Sequence, residues 1–135
     1  MRIVLDTNCL LPAIFSRSIY RWLWEAFRRR DFTLCYSNEI LAEYEELFSQ
    51  FYPPEITHNA MFLLLQSPNV ERITTFYNWY LISADPDDNK FVDCALNAGV
   101  DFIVTNDKHF NVLKDIPFPK IEVIDIERFK EIILS

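Results

Sequence analysis

Short apolar runs and longer amphipathic stretches alternate along this chain. Arg2–Leu5 (RIVL), Phe32–Tyr36 and Asp101–Thr105 (DFIVT) are brief and almost continuously hydrophobic. Runs of this kind read as strands buried on both faces of a sheet. Val70–Thr74 and Lys120–Ile124 read as two further strands. Helical spacing of apolar positions marks Asn8–Phe15, Ile19–Arg30, Asn38–Gln50, Glu55–Leu65, Pro86–Ala98 and Ile126–Leu134. The punctuation agrees: Ser37 is a suitable N-cap, Pro53-Pro54 breaks the chain, and Gly99 stands where a helix ending at Ala98 needs its C-terminal cap. Strands alternating with helices predict an α/β fold, a three-layer α/β/α arrangement around a central parallel sheet of four or five strands. Ligands in such sheets gather at the carboxyl ends of the strands.

The chain length of 135 residues suits a single domain spanning 1–135, and a hydrophobic content of 50% is enough for a packed core. A single Gly in the whole chain excludes a Gly-rich phosphate loop. The three cysteines, Cys9, Cys35 and Cys94, form no CxxC pair and sit among apolar neighbours, as expected of reduced, buried thiols in a cytoplasmic protein. Two histidines, His58 and His109, are too few for a Cys/His zinc site and read as surface or turn residues. Met1-Arg2 followed at once by a strand does not read as a signal peptide. No apolar run reaches 18 residues, so no membrane span is expected. The net charge of −7 argues against nucleic-acid binding, which needs cations for phosphate. Its distribution argues the other way: residues 1–30 carry six Arg against Asp6 and Glu25, or +4, leaving −11 for the remainder. A basic segment beside an acidic pocket suits a metal-using nuclease, although Arg28–Arg30 reads equally well as the solvated end of a helix.

The carboxylates change the picture most. Asp6 directly follows the first strand, and Asp107 follows the strand Asp101–Thr105. Each alone reads as a cap or turn residue; two at equivalent strand ends place both at one sheet edge. Asp88 lies three, four and seven residues before Phe91, Val92 and Ala95, so it belongs to the inward face of its helix. On the same spacing Asp87 sits at the edge of that face and Asp93 points away, with Asp85 as N-cap. In Asn38–Gln50, Glu43 and Glu45 border the apolar stripe on opposite sides, and periodicity does not choose between them. Converging carboxylates repel unless a cation neutralises them. Oxygen-only donors favour Mg²⁺ or Mn²⁺, and such an ion suits phosphodiester hydrolysis.

These residues resemble the PIN-domain ribonuclease family, most of all the toxin components of bacterial toxin–antitoxin systems. The opening strand with Asp6-Thr7-Asn8 is similar to the family's first motif. Ile40-Leu41-Ala42-Glu43-Tyr44 resembles the helix bearing its conserved Glu. Asp85-Pro86-Asp87-Asp88-Asn89-Lys90-Phe91 resembles its third motif, and Asp101 to Lys108 (DFIVTNDK) its fourth. The likeness runs in order over residues 2–108. It implies that Asp6, Asp88 and Asp107 are metal ligands, that Glu43 rather than Glu45 is the fourth catalytic acid, and that Asn8 and Thr105 orient carboxylates or water. It implies further an Mg²⁺- or Mn²⁺-dependent endoribonuclease that cuts RNA with a metal-activated water, leaving a 5′-phosphate and a 3′-hydroxyl. A cognate antitoxin and a homodimer are the implied partners. Arg17, Arg21, Lys90 and Lys108 are candidate RNA contacts. Tyr20, Trp22 and Trp24 either stack bases or pack in the core. Asn106 stands where the family usually has Gly or a larger residue; Asn suits the left-handed conformation of a tight turn. A haloacid-dehalogenase-type phosphotransferase would need an acid at position 8, where Asn8 stands. A catalytically silent RNA- or protein-binding module and a housekeeping RNA-processing nuclease are the remaining alternatives; the presence of all four acids argues for activity.

Overall fold

A computed structural model describes residues 1–82 and 85–135. Its centre is a five-stranded, wholly parallel sheet: β1 (Arg2–Leu5), β2 (Thr33–Tyr36), β3 (Val70–Arg72), β4 (Phe102–Val104) and β5 (Val123–Ile124), in the order β3-β2-β1-β4-β5. The register pairs Ile3 with Leu34 on one side of β1 and with Phe102 on the other. Ile3, Val4 and Leu5 are all within 1% of complete burial, which is why β1 shows no polar alternation. The chain leaves β1 to build β2 and β3 on one side, then returns to build β4 and β5 on the other. The strand order therefore reverses between β1 and β4, where a crevice opens outside their carboxyl ends.

Among the described residues six helices flank the sheet: α1 (Thr7–Leu10), α2 (Arg21–Arg28), α3 (Asn38–Phe51), α4 (Pro54–Gln66), α5 (Asn89–Ala98) and α6 (Ile126–Leu134). Their caps follow the sequence. Ser37 Oγ accepts from Ile40 N–H, and Asp125 Oδ1 accepts from Arg128 N–H. Gly99, at φ 66°, ends α5 in the left-handed conformation, with its N–H on Ala95 O. Three 3₁₀ turns (Leu11–Ile14, Pro86–Asp88 and Lys108–Asp115) complete the order. The expected helix Pro86–Ala98 thus begins as a 3₁₀ turn, and Lys108–Asp115 was not legible as an element. The last strand is also shorter than its apolar pattern, Val123–Ile124 instead of Lys120–Ile124.

Core packing decides the fate of the aromatic segment. Trp24 and Phe27 are buried, Trp22 packs on Phe129 at 6.2 Å, and Phe32 meets Phe129 edge-to-face at 5.2 Å. Tyr20 is partly buried against the same core. A ring buried to this degree contributes roughly 2 kcal/mol of transfer free energy. All three cysteines are free and buried, and burial raises Cys9 and Cys94 to about 12 and Cys35 to about 11, so all are thiols at neutral pH.

Asp93 departs from the sequence reading. It was expected to point away from the core, yet it is only 6% exposed. The reason is an irregular segment, residues 76–82, laid along α5. Asn89, Asp93 and Asn97 recur every four residues, one helical row, and that row binds the segment's backbone. Asp93 Oδ1 accepts from Trp79 N–H (2.9 Å) and Asn97 Oδ1 from Phe76 N–H (3.1 Å). Asn89 both accepts from Ile82 N–H (2.9 Å) and donates to Ile82 O (2.7 Å). These side chains take the place of a strand neighbour.

Candidate active site

The site is built where β1 and β4 end. Asp6 follows β1, continues the sheet by donating its N–H to Val104 O (3.0 Å), and caps α1. It is 4% exposed. Its Oδ2 accepts from Thr105 Oγ1 at 2.6 Å, and Thr105 Oγ1 in turn accepts from Asp107 N–H at 3.0 Å. Thr105 thus couples the carboxylate after β1 to the loop after β4. Asn8 contributes through its backbone, whose N–H lies 3.5 Å from Asp6 Oδ1; its side chain is exposed.

Asp88 is delivered from the opposite side by the turn Pro86–Asp88 at the start of α5, with Asp85 as N-cap and Asp87 exposed. Its Oδ2 is buried and, among the described residues, has no well-formed hydrogen bond. The imidazole of His109 stands beside it, with Nδ1 3.4 Å from Asp88 Oδ2 and 3.3 Å from Asp107 Oδ1. Burial raises Asp88 to about 7, and the nearby charges of Asp107, Asp85 and Asp6 add to it; His109 opposes them. Asp6 is also raised, first by burial, with Asp107 and Glu43 contributing and its bonds from Thr105 and Asn8 opposing. Asp6 and Asp88 therefore both feel the charge of Asp107.

Glu43 is half-buried, whereas Glu45 is exposed. Glu43 is held by Thr7 Oγ1, which donates to its Oε2, and by Lys90, whose Nζ lies 2.7 Å from Oε1. Its charge also reaches Asp6, which it helps to raise. α3 itself is anchored beneath the site by Tyr44, whose hydroxyl donates to Leu5 O (2.5 Å).

Among the described residues, one group of donors lies within mutual ligating range: Asp85, Asp88 and His109, all within 4.8 Å. Reading the sequence missed two of these. Asp85 looked like a cap only, and His109 like a turn residue. A signal existed: Asp107 caps the turn that follows it, with Oδ1 accepting from His109 N–H (2.9 Å), which folds residue 109 back over the carboxylate. A buried carboxylate oxygen without a donor is costly. Together with the acidic donors around it, that oxygen fits the coordination shell of a divalent cation.

The candidate RNA contacts divide. Lys108 and Arg17 are exposed, but Lys90 is engaged by Glu43, and Arg21 donates to Ile14 O (2.6 Å). The basic cluster Arg28–Arg30 ends α2 and feeds the amino end of β2, the sheet edge opposite Asp6. Arg29 there pairs with Asp31 at 3.1 Å. The cluster is a solvated helix end, and the expectation of a basic patch beside the pocket is not met by it. Asn106 is not left-handed; its side chain Oδ1 accepts from Ile126 N–H (3.1 Å), tying the site loop to α6.

Known structures share this architecture. VapBC2 from Rickettsia felis, bound to a DNA fragment from its promoter, superposes with a TM-score of 0.64 at 20% identity, covering 93% of this chain and 98% of that one. FitAcB from Neisseria gonorrhoeae gives 0.55 at 16% identity, with coverages of 90% and 96%. The PIN domain endonuclease Utp24 gives 0.53 at 18% identity, with coverages of 93% and 84%. At such identities the likeness is one of fold. Among curated proteins none matches the chain. The sequence model of the PIN domain matches residues 2–109, the span that carries every acid of the pocket. This chain belongs to the PIN-domain family.

Proposed function

We propose that the protein is a divalent-metal-dependent endoribonuclease, the toxin of a toxin–antitoxin pair. The observation that carries the reading is that the charge of Asp107 helps raise both Asp6 and Asp88 near the point where the strand order reverses, with Asp88 Oδ2 buried and without a well-formed hydrogen bond among the described residues. In the proposal Asp6, Asp88 and Asp107 hold the cation, and Glu43 is the fourth acid. A bound Mg²⁺ or Mn²⁺ would polarise a phosphodiester and make water a stronger nucleophile. The chain's own contribution is orientation. Thr105 fixes the rotamer of Asp6, Thr7 and Lys90 hold Glu43, and Tyr44 ties α3 to the end of β1. Lys108 and Arg17 are exposed cations available to phosphate. The fold shared with VapBC2 and FitAcB supports the toxin assignment with a cognate antitoxin, and that with Utp24 supports endonuclease chemistry.

The test is cleavage of a mixed pool of labelled RNAs with Mn²⁺, Mg²⁺ or EDTA, beside an Asp6→Asn/Asp88→Asn control. Metal-dependent cutting that the control loses is the expected outcome. No cutting, with no cation binding by calorimetry, would replace the nuclease with a silent RNA- or protein-binding module.

A further inference from the structure

The segment 76–80 (FYNWY) presents four aromatic rings that the acidic pocket does not use. Phe76, Tyr77 and Tyr80 are 78%, 68% and 76% exposed, and Trp79 is exposed beside them. A contiguous exposed aromatic patch is the mark of an interaction face. The backbone beneath it is fixed. Asn97 binds it at Phe76 and Tyr77, Asp93 at Trp79 and Asn89 at Ile82. Tyr80 stands at φ 53°, a left-handed conformation that strains a residue bearing a Cβ. Tyr77 and Trp79 are inclined at 54° with centroids 6.3 Å apart, so they are not stacked face to face. Tyr80 also opens onto a cavity of about 320 Å³ that reaches Asn78, Glu39, Asp87 and Lys90. Lys90 joins this cavity to the catalytic acids, since its Nζ lies 2.7 Å from Glu43 Oε1.

We propose that Phe76, Tyr77, Trp79 and Tyr80 form a stacking platform for unpaired bases of a single-stranded RNA that runs into the catalytic pocket. The inference rests on the ribonuclease reading for the identity of its ligand. Stacking tolerates any base and needs no cation, which suits a chain of net charge −7. Apart from Tyr80 and Pro86 the described lining of the cavity is polar. An apolar peptide face finds no aliphatic groove there, whereas a nucleobase offers a π face for Tyr80 and a polar edge. Glu39 and Asp87 can accept hydrogen bonds from amino groups on that edge, with the phosphates left outside in solvent. A basic peptide is the competing occupant, because the same carboxylates would attract it. The rings follow one another along the segment, as successive bases require, and the cavity leads to Glu43; both favour RNA.

The test uses the full chain and a labelled single-stranded RNA of about ten nucleotides. Binding in Mn²⁺ is followed by fluorescence anisotropy, with the RNA checked for integrity on a gel. Wild type is compared with Tyr77→Ala/Tyr80→Ala, Tyr77→Phe/Tyr80→Phe and Trp79→Phe. The alanine pair should weaken binding about tenfold or more, and the phenylalanine pair, which keeps both rings, by less than about twofold. The salt dependence of binding should not change, because no phosphate contact is lost. RNA should also quench tryptophan emission. Trp22 and Trp24 lie in or against the core, so Trp79→Phe should remove the quench. Unchanged affinity in the alanine pair, or equal losses in the alanine and phenylalanine pairs, overturns the proposal. If the alanine pair does not fold, the quench decides, and its absence in wild type overturns the platform. An oligoarginine peptide whose binding the alanine pair loses, while RNA binding is unchanged, overturns it in favour of a basic partner. The cleavage assay decides the nuclease separately: ring-dependent RNA binding without metal-dependent cutting keeps the platform and removes the nuclease, and metal-dependent cutting with ring-independent binding does the reverse.

Discussion

Asp88 is the residue at which charge and burial conflict most openly. Held at about 7 in the folded chain, against an ordinary value of 3.8, it keeps a proton that the unfolded chain loses near pH 4. Between those values the folded state binds more protons, so stability of the metal-free protein falls as pH rises through that window and levels off above it. The expected loss is about 2 kcal/mol, roughly half the unscreened value, because solvent reaches its neighbours. Asp88→Asn should flatten the slope, and saturating Mn²⁺ should abolish it; urea melts at pH 4.5 and 7.5 measure both. An unchanged slope in Asp88→Asn would mean the conflict lies elsewhere. Asp6→Asn should abolish cleavage while raising the metal-free melting temperature by about 3 °C, since a repelled, buried charge is removed. An unfolded Asp6→Asn protein would instead make the residue structural.

At the scale of elements, α5 performs two tasks with two faces. Phe91, Val92, Cys94 and Ala95 pack on the sheet, and the row Asn89, Asp93, Asn97 holds the irregular segment 76–82. Asn89 is 8% exposed and satisfies both polar groups of Ile82. Its replacement by Ala leaves a buried N–H and a carbonyl without partners, and should cost about 2 kcal/mol. Hydrogen exchange should then quicken first at Trp79 and Ile82, before the sheet amides respond. Protection lost uniformly across the molecule would show that the segment has no separate stability.

Over the whole molecule, the arrangement of charge matters more than the net value of −7. Arg2 and Arg28–Arg30 lie at the amino edge of the sheet, and Arg2 is committed to Glu71 through two bonds of 3.0 and 2.9 Å. The carboxyl edge collects the acids, with Lys90 already paired. Metal-free protein should therefore bind RNA weakly, divalent cation should strengthen binding at least about tenfold, and affinity should fall steeply with added salt. Fluorescence anisotropy with a labelled single strand in EDTA and in Mn²⁺ measures this. Tight, salt-insensitive binding in EDTA would contradict the charge layout.

Much of this was legible from residue order alone. A strand buried on both faces has no polar alternation, so RIVL and FIV announce themselves, and the parallel α/β class follows from their alternation with helices. Asp6 and Asp107 could be placed at one edge because a parallel sheet aligns strand ends, and Asp88 could be turned inward because helical periodicity orients it. What the sequence could not decide depends on neighbours distant along the chain. Glu43 was given its partners by Thr7 and Lys90, and Asp93 was buried by a segment more than ten residues away. Arg28–Arg30 was sent to the far edge by the direction of α2. His109 was set on two carboxylates by a turn that local spacing does not specify. Periodicity reports which face of an element is apolar; only packing determines what covers the other face.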